Sequence, residues 1–211
     1  MKDLFVLTAD SDAQAVMRSV LVRHKALGIR PIEAEVQRFP GRDSGMVKEG
    51  PEIVRALIKK ADYSRLILVW DHHGSGWHAR DPKSATAAIQ QRLDGITWMD
   101  RSAAVVAVPE IEEWIWRCQS SMAKHLGVKV SVLNEIADHF AAKQKLSRDE
   151  YWRRCPKELF ESILYRKERR RPLPDDFASL ATGASLKAWR GSETFAQLAD
   201  VLRAWFPLGT T

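Results

Sequence analysis

The chain has 211 residues, 45% hydrophobic and 28% charged, an ordinary globular composition able to bury roughly 70% of its unfolded surface, so disorder of the whole chain is excluded. Its two cysteines, Cys118 and Cys155, have no thiol near them in sequence. That excludes a disulfide framework or zinc knuckle and predicts a reducing, cytoplasmic setting. The apolar run Ser102–Pro109 is far shorter than the roughly 20 residues of a membrane span, and the Met1–Thr8 segment lacks the apolar region of a secretory leader, so no membrane partner is expected.

Lys and Arg number 33 against 27 Asp and Glu, a net charge of +6. Residues 1–120 hold 17 basic and 16 acidic side chains, and residues 121–211 hold 16 and 11, so the excess lies in the second half.

Leu4–Thr8 reads as a buried strand entering the polar turn Ala9–Asp12. Ser11 followed by Gln14 has the spacing of a capping box, which predicts a helix start there, with Val16, Val20, Leu21 and Leu27 as its apolar stripe and Gly28 as its end. Glu33–Phe39 alternates weakly, as a second strand. Pro40–Gly50 reads as an exposed loop and Pro51–Ala61 as a helix with proline in its first turn. Leu66–Trp70 is the strongest strand signal, followed by the loop Asp71–Pro82 and a helix over Ser84–Leu93. Ala103–Val108 reads as another buried strand. Helices are predicted near residues 110–120, 130–143, 156–170 and 193–205, the last capped by Ser192 and stopped by Pro207. Strands alternating with helices predict an α/β fold: about four mainly parallel strands between helices over residues 1–120, with an all-helical part over 121–211 packed on that core. Leu66–Trp70 and Ala103–Val108 are expected to be central and buried on both faces.

Open α/β sheets form sites at the carboxyl ends of their strands. Thr8, Asp10, Ser11 and Asp12 follow the first strand, Asp71, His72, His73 and His78 the third, and Glu110, Glu112 and Glu113 the fourth. Clustered carboxylates repel unless a cation lies between them. Oxygen donors suit hard ions such as Mg²⁺ or Mn²⁺, which stabilise charge in phosphoryl transfer. The simpler reading makes Asp12 a helix-start residue. It also puts Glu110 and Glu113 on one helical face beside the dipole, with Glu112 turned away. Trp114 reads as core, and the eight tryptophans are too scattered for a nucleic-acid platform. P-loop, dinucleotide-binding, nucleophile-elbow and zincin motifs do not occur. The run Arg166, Lys167, Arg169, Arg170, Arg171 fits either phosphate contacts or a solvated helix end before Pro172.

The ordered acidic groups resemble the Toprim domain, which carries a Glu-Gly-x-[Ser/Thr]-[Asp/Glu] element after its first strand and an Asp-x-Asp element after a later one. The chain is similar to small bacterial Toprim-like proteins with a Glu-hydrophobic-Glu-x-Trp motif, matched by Glu110-Ile111-Glu112-Glu113-Trp114. Lys157 with Leu159, Tyr165 with Lys167, and Ser192 with Phe195 extend the resemblance over most of the chain. It departs at Thr8, which stands at the family's catalytic Glu, at Ala9, which replaces its Gly, and at His73, which takes the second acidic position of Asp71-His72-His73. The resemblance implies a metal-dependent nuclease or nuclease subunit of an anti-phage or mobile-element defence system. Asp71, Glu110 and Asp10 would be catalytic, and Asp71, His73, Glu110, Glu112, Glu113 and Asp12 would be ligands. The alternative is a degenerate binding or assembly subunit that leaves chemistry to protein partners. In the first reading Asp71 and Glu110 share a cation, with Asp10 or Asp12 facing the same cleft and Asp71 not consumed as a helix cap.

Overall fold

Side chains of β1 (Lys2–Thr8) divide between two apolar layers: Leu4 and Val6 join one, Phe5 and Leu7 the other. A strand apolar on both faces must be covered on both, and this one lies inside a parallel sheet. The computed structural model describes residues 1–58 and 63–209. In it β1 pairs with β2 (Ala34–Arg38) and β3 (Tyr63–Asp71), and β3 pairs with β4 (Ser102–Ala107). All three pairings are parallel, in the order β2-β1-β3-β4.

The helices α1 (Ser11–Leu21) and α2 (His24–Leu27) connect β1 to β2, and α1 packs on the Leu4, Val6 and Ile67 side. The return from β2 runs through α3 (Arg42–Ile58) on the opposite face, where Met46, Val47 and Val54 meet Phe5, Leu66 and Leu68. On the same face, α4 (Pro82–Leu93) continues into the π-helical turn Asp94–Trp98 before β4. Beyond β4 the described chain is helical: α5 (Glu112–Trp116), α6 (Gln119–Leu126), α7 (Val130–Lys143), α8 (Arg148–Arg154), α9 (Pro156–Glu168), α10 (Pro174–Gly183), α11 (Leu186–Trp189) and α12 (Glu193–Trp205). Of these, α10 packs on α1 and α12 on β4, and one apolar core runs from Val69 and Val105 through Trp114, Phe160 and Phe177 to Phe195. The molecule is thus an α/β fold with a four-stranded parallel sheet flanked by helices and helices throughout its C-terminal part.

The chain steps outward from β1 to β2, then crosses back over β1 to β3. The winding therefore reverses between β1 and β3, and the crevice at their carboxyl ends is where open α/β sheets bind ligands.

Several local expectations give way. Arg42–Gly50 is not a loop but the first half of α3, and Pro51 lies inside that helix. The glycines at 41, 45 and 50 suggested a loop, but Met46, Val47, Gly50 and Val54 are buried at helical spacing, and tertiary packing outweighs propensity. The end of the expected Pro51–Ala61 helix, residues 59–61, lies outside the described residues. The expected helix at 110–120 is two helices broken at Cys118, and α9 ends at Glu168 with Arg169 in the left-handed region. Lastly, β4 is an edge strand rather than a central one, although all six of its residues are buried. Helices cover it, so its apolar run reports burial rather than a neighbouring strand on each side.

Candidate metal centre

Asp10 follows β1 with extended backbone (φ −141°, ψ −178°) and is the N-cap of α1. Its Oδ1 accepts the N–H groups of Asp12 (3.1 Å) and Ala13 (2.8 Å), so Asp10, not Ser11, caps this helix. Asp71 is the last residue of β3, in register with Ile67 and Val69 on one face of the strand. Its Oδ1 accepts the Ile111 N–H at 2.9 Å. The Asp71 N–H in turn donates to Oδ1 of Asp43, in the first turn of α3, at 2.8 Å. One carboxylate oxygen from each of Asp10, Asp43 and Asp71 lies within 4.8 Å of the other two. In all three, backbone N–H groups hold Oδ1, and Oδ2 makes no hydrogen bond among the described residues. Asp71 therefore gives one oxygen to the entrance of α5 and keeps the other.

A ring of ionisable groups surrounds this triad. Asp71 is 7% exposed. Burial raises its pKa well above the carboxylate range, and the charges of Glu112, Asp43, Asp10 and Glu110 push the same way. Burial and Glu110 move Glu112 up to about 8. Burial raises Glu110 to about 7 despite the opposing charge of Lys157. Asp43 rises to about 6 through burial, partly offset by the Asp71 N–H. Oε2 of Glu110 and Oε2 of Glu112 are buried without a hydrogen-bond partner. Lys157, in the first turn of α9, holds its Nζ 3.9 Å from Glu110 Oε1. Burial alone would lower its pKa, but Glu112, Glu110 and Asp71 outweigh that and raise it.

These groups fit a divalent cation. The triad offers only oxygen donors, as hard ions such as Mg²⁺ and Mn²⁺ require. Each carboxylate is oriented by backbone hydrogen bonding to Oδ1 and keeps Oδ2 free of hydrogen bonds among the described residues, and hydrogen-bonded carboxylates are the rule among metal ligands. Buried like charges are costly without a compensating cation, and the single charge of Lys157 faces several carboxylates. Gly74 (φ +81°) passes close by, and a Cβ there would stand 3.3 Å from Asp43 Oδ2.

The remaining sequence-derived candidates divide. Glu110 and Glu112 border the triad without joining its 4.8 Å set. Asp12 is half-buried beside Asp10, its pKa raised to about 6 by burial and by that neighbour. Glu113 turns away to pair with Arg117, whose Nε lies 2.6 Å from its Oε1. The expected pairing of Glu110 with Glu113 on one face fails because α5 begins only at Glu112, so helical spacing does not apply to residue 110. His73 is exposed and outside the triad, and its backbone N–H is bonded to the Pro109 carbonyl at 3.0 Å. His78 is exposed as well, whereas His72 is buried with Nδ1 unpartnered. Thr8 is fully buried, its hydroxyl facing the carbonyls of Asp10 (3.2 Å) and Gln37 (3.3 Å). Trp114 is core, with Nε1 donating to Thr194 Oγ1 at 2.7 Å. Sequence reasoning missed Asp43. The available signal was an acid three residues before Met46, at the start of the buried stripe that makes α3 helical.

The basic run behaves as a helix end. Arg170 binds Asp176 through Nη1 (2.5 Å) and Nη2 (2.8 Å), and Arg166 lies over the Phe140 ring at 4.9 Å. Arg169 is the left-handed C-cap of α9 (φ +56°), and Lys167, Arg169 and Arg171 are exposed. Lys157 and this run occupy opposite ends of α9, which at 1.5 Å per residue puts about 13–18 Å of helix between the acidic ring and residues 166–169. No helix of the described chain is long and apolar enough to cross a membrane. No family model, curated protein or solved structure matches the chain.

Proposed function

We propose that the chain is a divalent-cation-dependent enzyme acting on phosphodiesters, a Toprim-like nuclease or nuclease subunit, with its centre at Asp10, Asp43 and Asp71. The observation that carries this reading is the shared pattern of the three aspartates: one oxygen anchored by backbone, the other unbonded, all at the switch point between β1 and β3. A bound Mg²⁺ or Mn²⁺ would supply positive charge for the phosphoryl oxygens as negative charge develops on them. Around it, Glu112 and Glu110, which titrate near neutral pH, are the groups able to hold or give up a proton. Lys157 adds a fixed positive charge at the same opening. The test is cleavage of supercoiled plasmid, single-stranded DNA and RNA with Mn²⁺ or Mg²⁺. Nicking that EDTA and Asp71→Asn both abolish supports the reading, and no cleavage of any substrate with either ion overturns it.

One observation favours a second reading. Thr8, where the family resemblance places a catalytic Glu, is sealed in the core and facing backbone carbonyls, so β1 contributes no acid or base. A degenerate assembly subunit would bind the cation by calorimetry and cleave nothing.

A further inference from the structure

We propose that the open edge of β4 docks an extended peptide of a partner protein, added to the sheet as a fifth strand with a Lys or Arg side chain at Asp94 and Asp100. The Leu66 N–H donates to the Arg101 carbonyl and the His72 N–H to that of Ala107. Odd-numbered residues of β4 therefore turn their backbone groups to β3, and even-numbered ones turn theirs outward. Part of that outward row is already satisfied by a side chain imitating a strand. Gln90 Oε1 accepts the Ala104 N–H at 3.0 Å, and its Nε2 donates to the Ser102 carbonyl at 3.3 Å. Further along, the Ala104 carbonyl and both backbone groups of Val106 have no hydrogen-bond partner among the described residues. Val106 is only 3% exposed, and unpaired backbone groups at such a depth are rare in folded proteins.

A groove of about 1200 Å³ runs along this edge between α4 and α12. Its floor is β4, six residues or about 20 Å long, of which the Ala104 carbonyl and Val106 are free to pair while Gln90 covers the Ser102 carbonyl and the Ala104 N–H. The recess decides the occupant. A second copy would bring its own β4 sunk between the same two helices, and the helices would meet before the strands came within the roughly 4.8 Å of a ladder. A single extended chain has no such walls, and strand addition to an open edge is an established mode of peptide recognition.

The charge is uneven along the groove. Toward the carboxyl end of β4 both signs of charge line the groove: Glu113 pairs with Arg117, Lys83 pairs with Glu193 at 3.1 Å from α4 to α12, and Asp81 and Arg153 stand beside them. The Lys83–Glu193 pair is about 80% exposed on both sides and is worth little, so parting it costs little. At the other end Asp94, whose Oδ1 accepts Gln90 Nε2 at 2.8 Å, and Asp100 make no ion pair among the described residues. An incoming cation complements that end.

The probe is a pair of fluorescein-labelled peptides, Lys-Thr-Val-Thr-Val-Ser and its reverse, titrated by anisotropy, with the Val106 amide followed by NMR. One direction is expected to bind and shift the Val106 resonance. Exchanging its Lys for Glu should weaken binding about tenfold. N-methylation of the alternate residues facing β4 should abolish binding, whereas N-methylation of the other set should leave it. Ala87→Trp, at an exposed groove position, should block the peptide. Gln197→Trp on the opposite wall serves if Ala87→Trp does not fold. Equal binding of both N-methylated series, or no Val106 shift at millimolar peptide, overturns the proposal. So does a dimer that either Trp variant dissolves, because a second copy would then occupy the edge.

Discussion

The acids at the sheet's carboxyl edge and the bases at the end of α9 are opposites in how sequence maps onto space. Asp10, Asp43, Asp71, Glu110 and Glu112 are spread over 103 positions, yet they face one crevice. Arg166–Arg171 are contiguous, yet they disperse: one lies on Phe140, one is clamped to Asp176, one caps the helix, and the rest enter solvent. In the first region burial and like charge raise every resolved carboxyl pKa. In the second, burial would also raise Asp176, but Arg170, the Leu173 N–H and His125 outweigh it and hold Asp176 at about 2. A run of like charge in sequence is thus no measure of local field. Parallel topology concentrates charge, because every strand delivers its following residue to the same edge.

The largest effect that would break this contrast is loss of the cation. Asp71→Asn keeps the size of the side chain and an acceptor for the Ile111 N–H but removes the buried charge. It should abolish Mg²⁺ or Mn²⁺ binding by calorimetry and raise the melting temperature of the cation-free protein. A variant that binds the ion like the parent removes Asp71 from the centre.

A second test is pH. The folded-state pKa values of Glu112, Glu110 and Asp43 lie above their unfolded values. Their protonated forms therefore favour the folded state, fully so below about pH 4, and that stability is lost as pH rises through about 6 to 8. The cation-free melting temperature should fall over this window. A divalent ion at 100 times its pH 8 Kd should restore about 2.7 kcal/mol at pH 8, roughly 5–10 °C for a chain of this size, and the same concentration should restore less at pH 5, where protons compete for the carboxylates. A cation shift equal at pH 5 and pH 8 would contradict the cluster.

In the basic region, Arg170→Ala leaves the buried Asp176 with weaker compensation and should cost about 1–3 kcal/mol by urea denaturation. Arg169→Gly removes a side chain from a left-handed position and should gain about 1 kcal/mol. If the run meets nucleic acid, replacing Arg169 and Arg171 by Ala should flatten the log–log salt dependence of binding by at most about two units, because Arg170 is already committed. The smallest of these effects on the metal region is expected from Gly74→Ala. It strains a positive φ by about 1–2 kcal/mol and presses on Asp43 Oδ2, so a modest fall in cation affinity should accompany it.

What could be read locally was read from local patterns. The apolar runs Leu4–Thr8 and Leu66–Trp70 and the helices Val130–Lys143 and Glu193–Trp205 follow from side-chain pattern, because burial of one face or both is written into consecutive residues. So does the placement of Asp10, Asp71 and Glu110 after strands. Tertiary structure decided the rest. Asp43 became a member of the site only because α3 packs its Met46–Val54 stripe on the sheet and swings its first turn against β3. Glu112 rather than Glu113 faces the acids because Asp71 Oδ1 fixes where α5 starts. The edge position of β4 was hidden because helices and a second strand bury an apolar side chain equally well, and only the hydrogen-bonding direction, absent from any side-chain pattern, tells them apart.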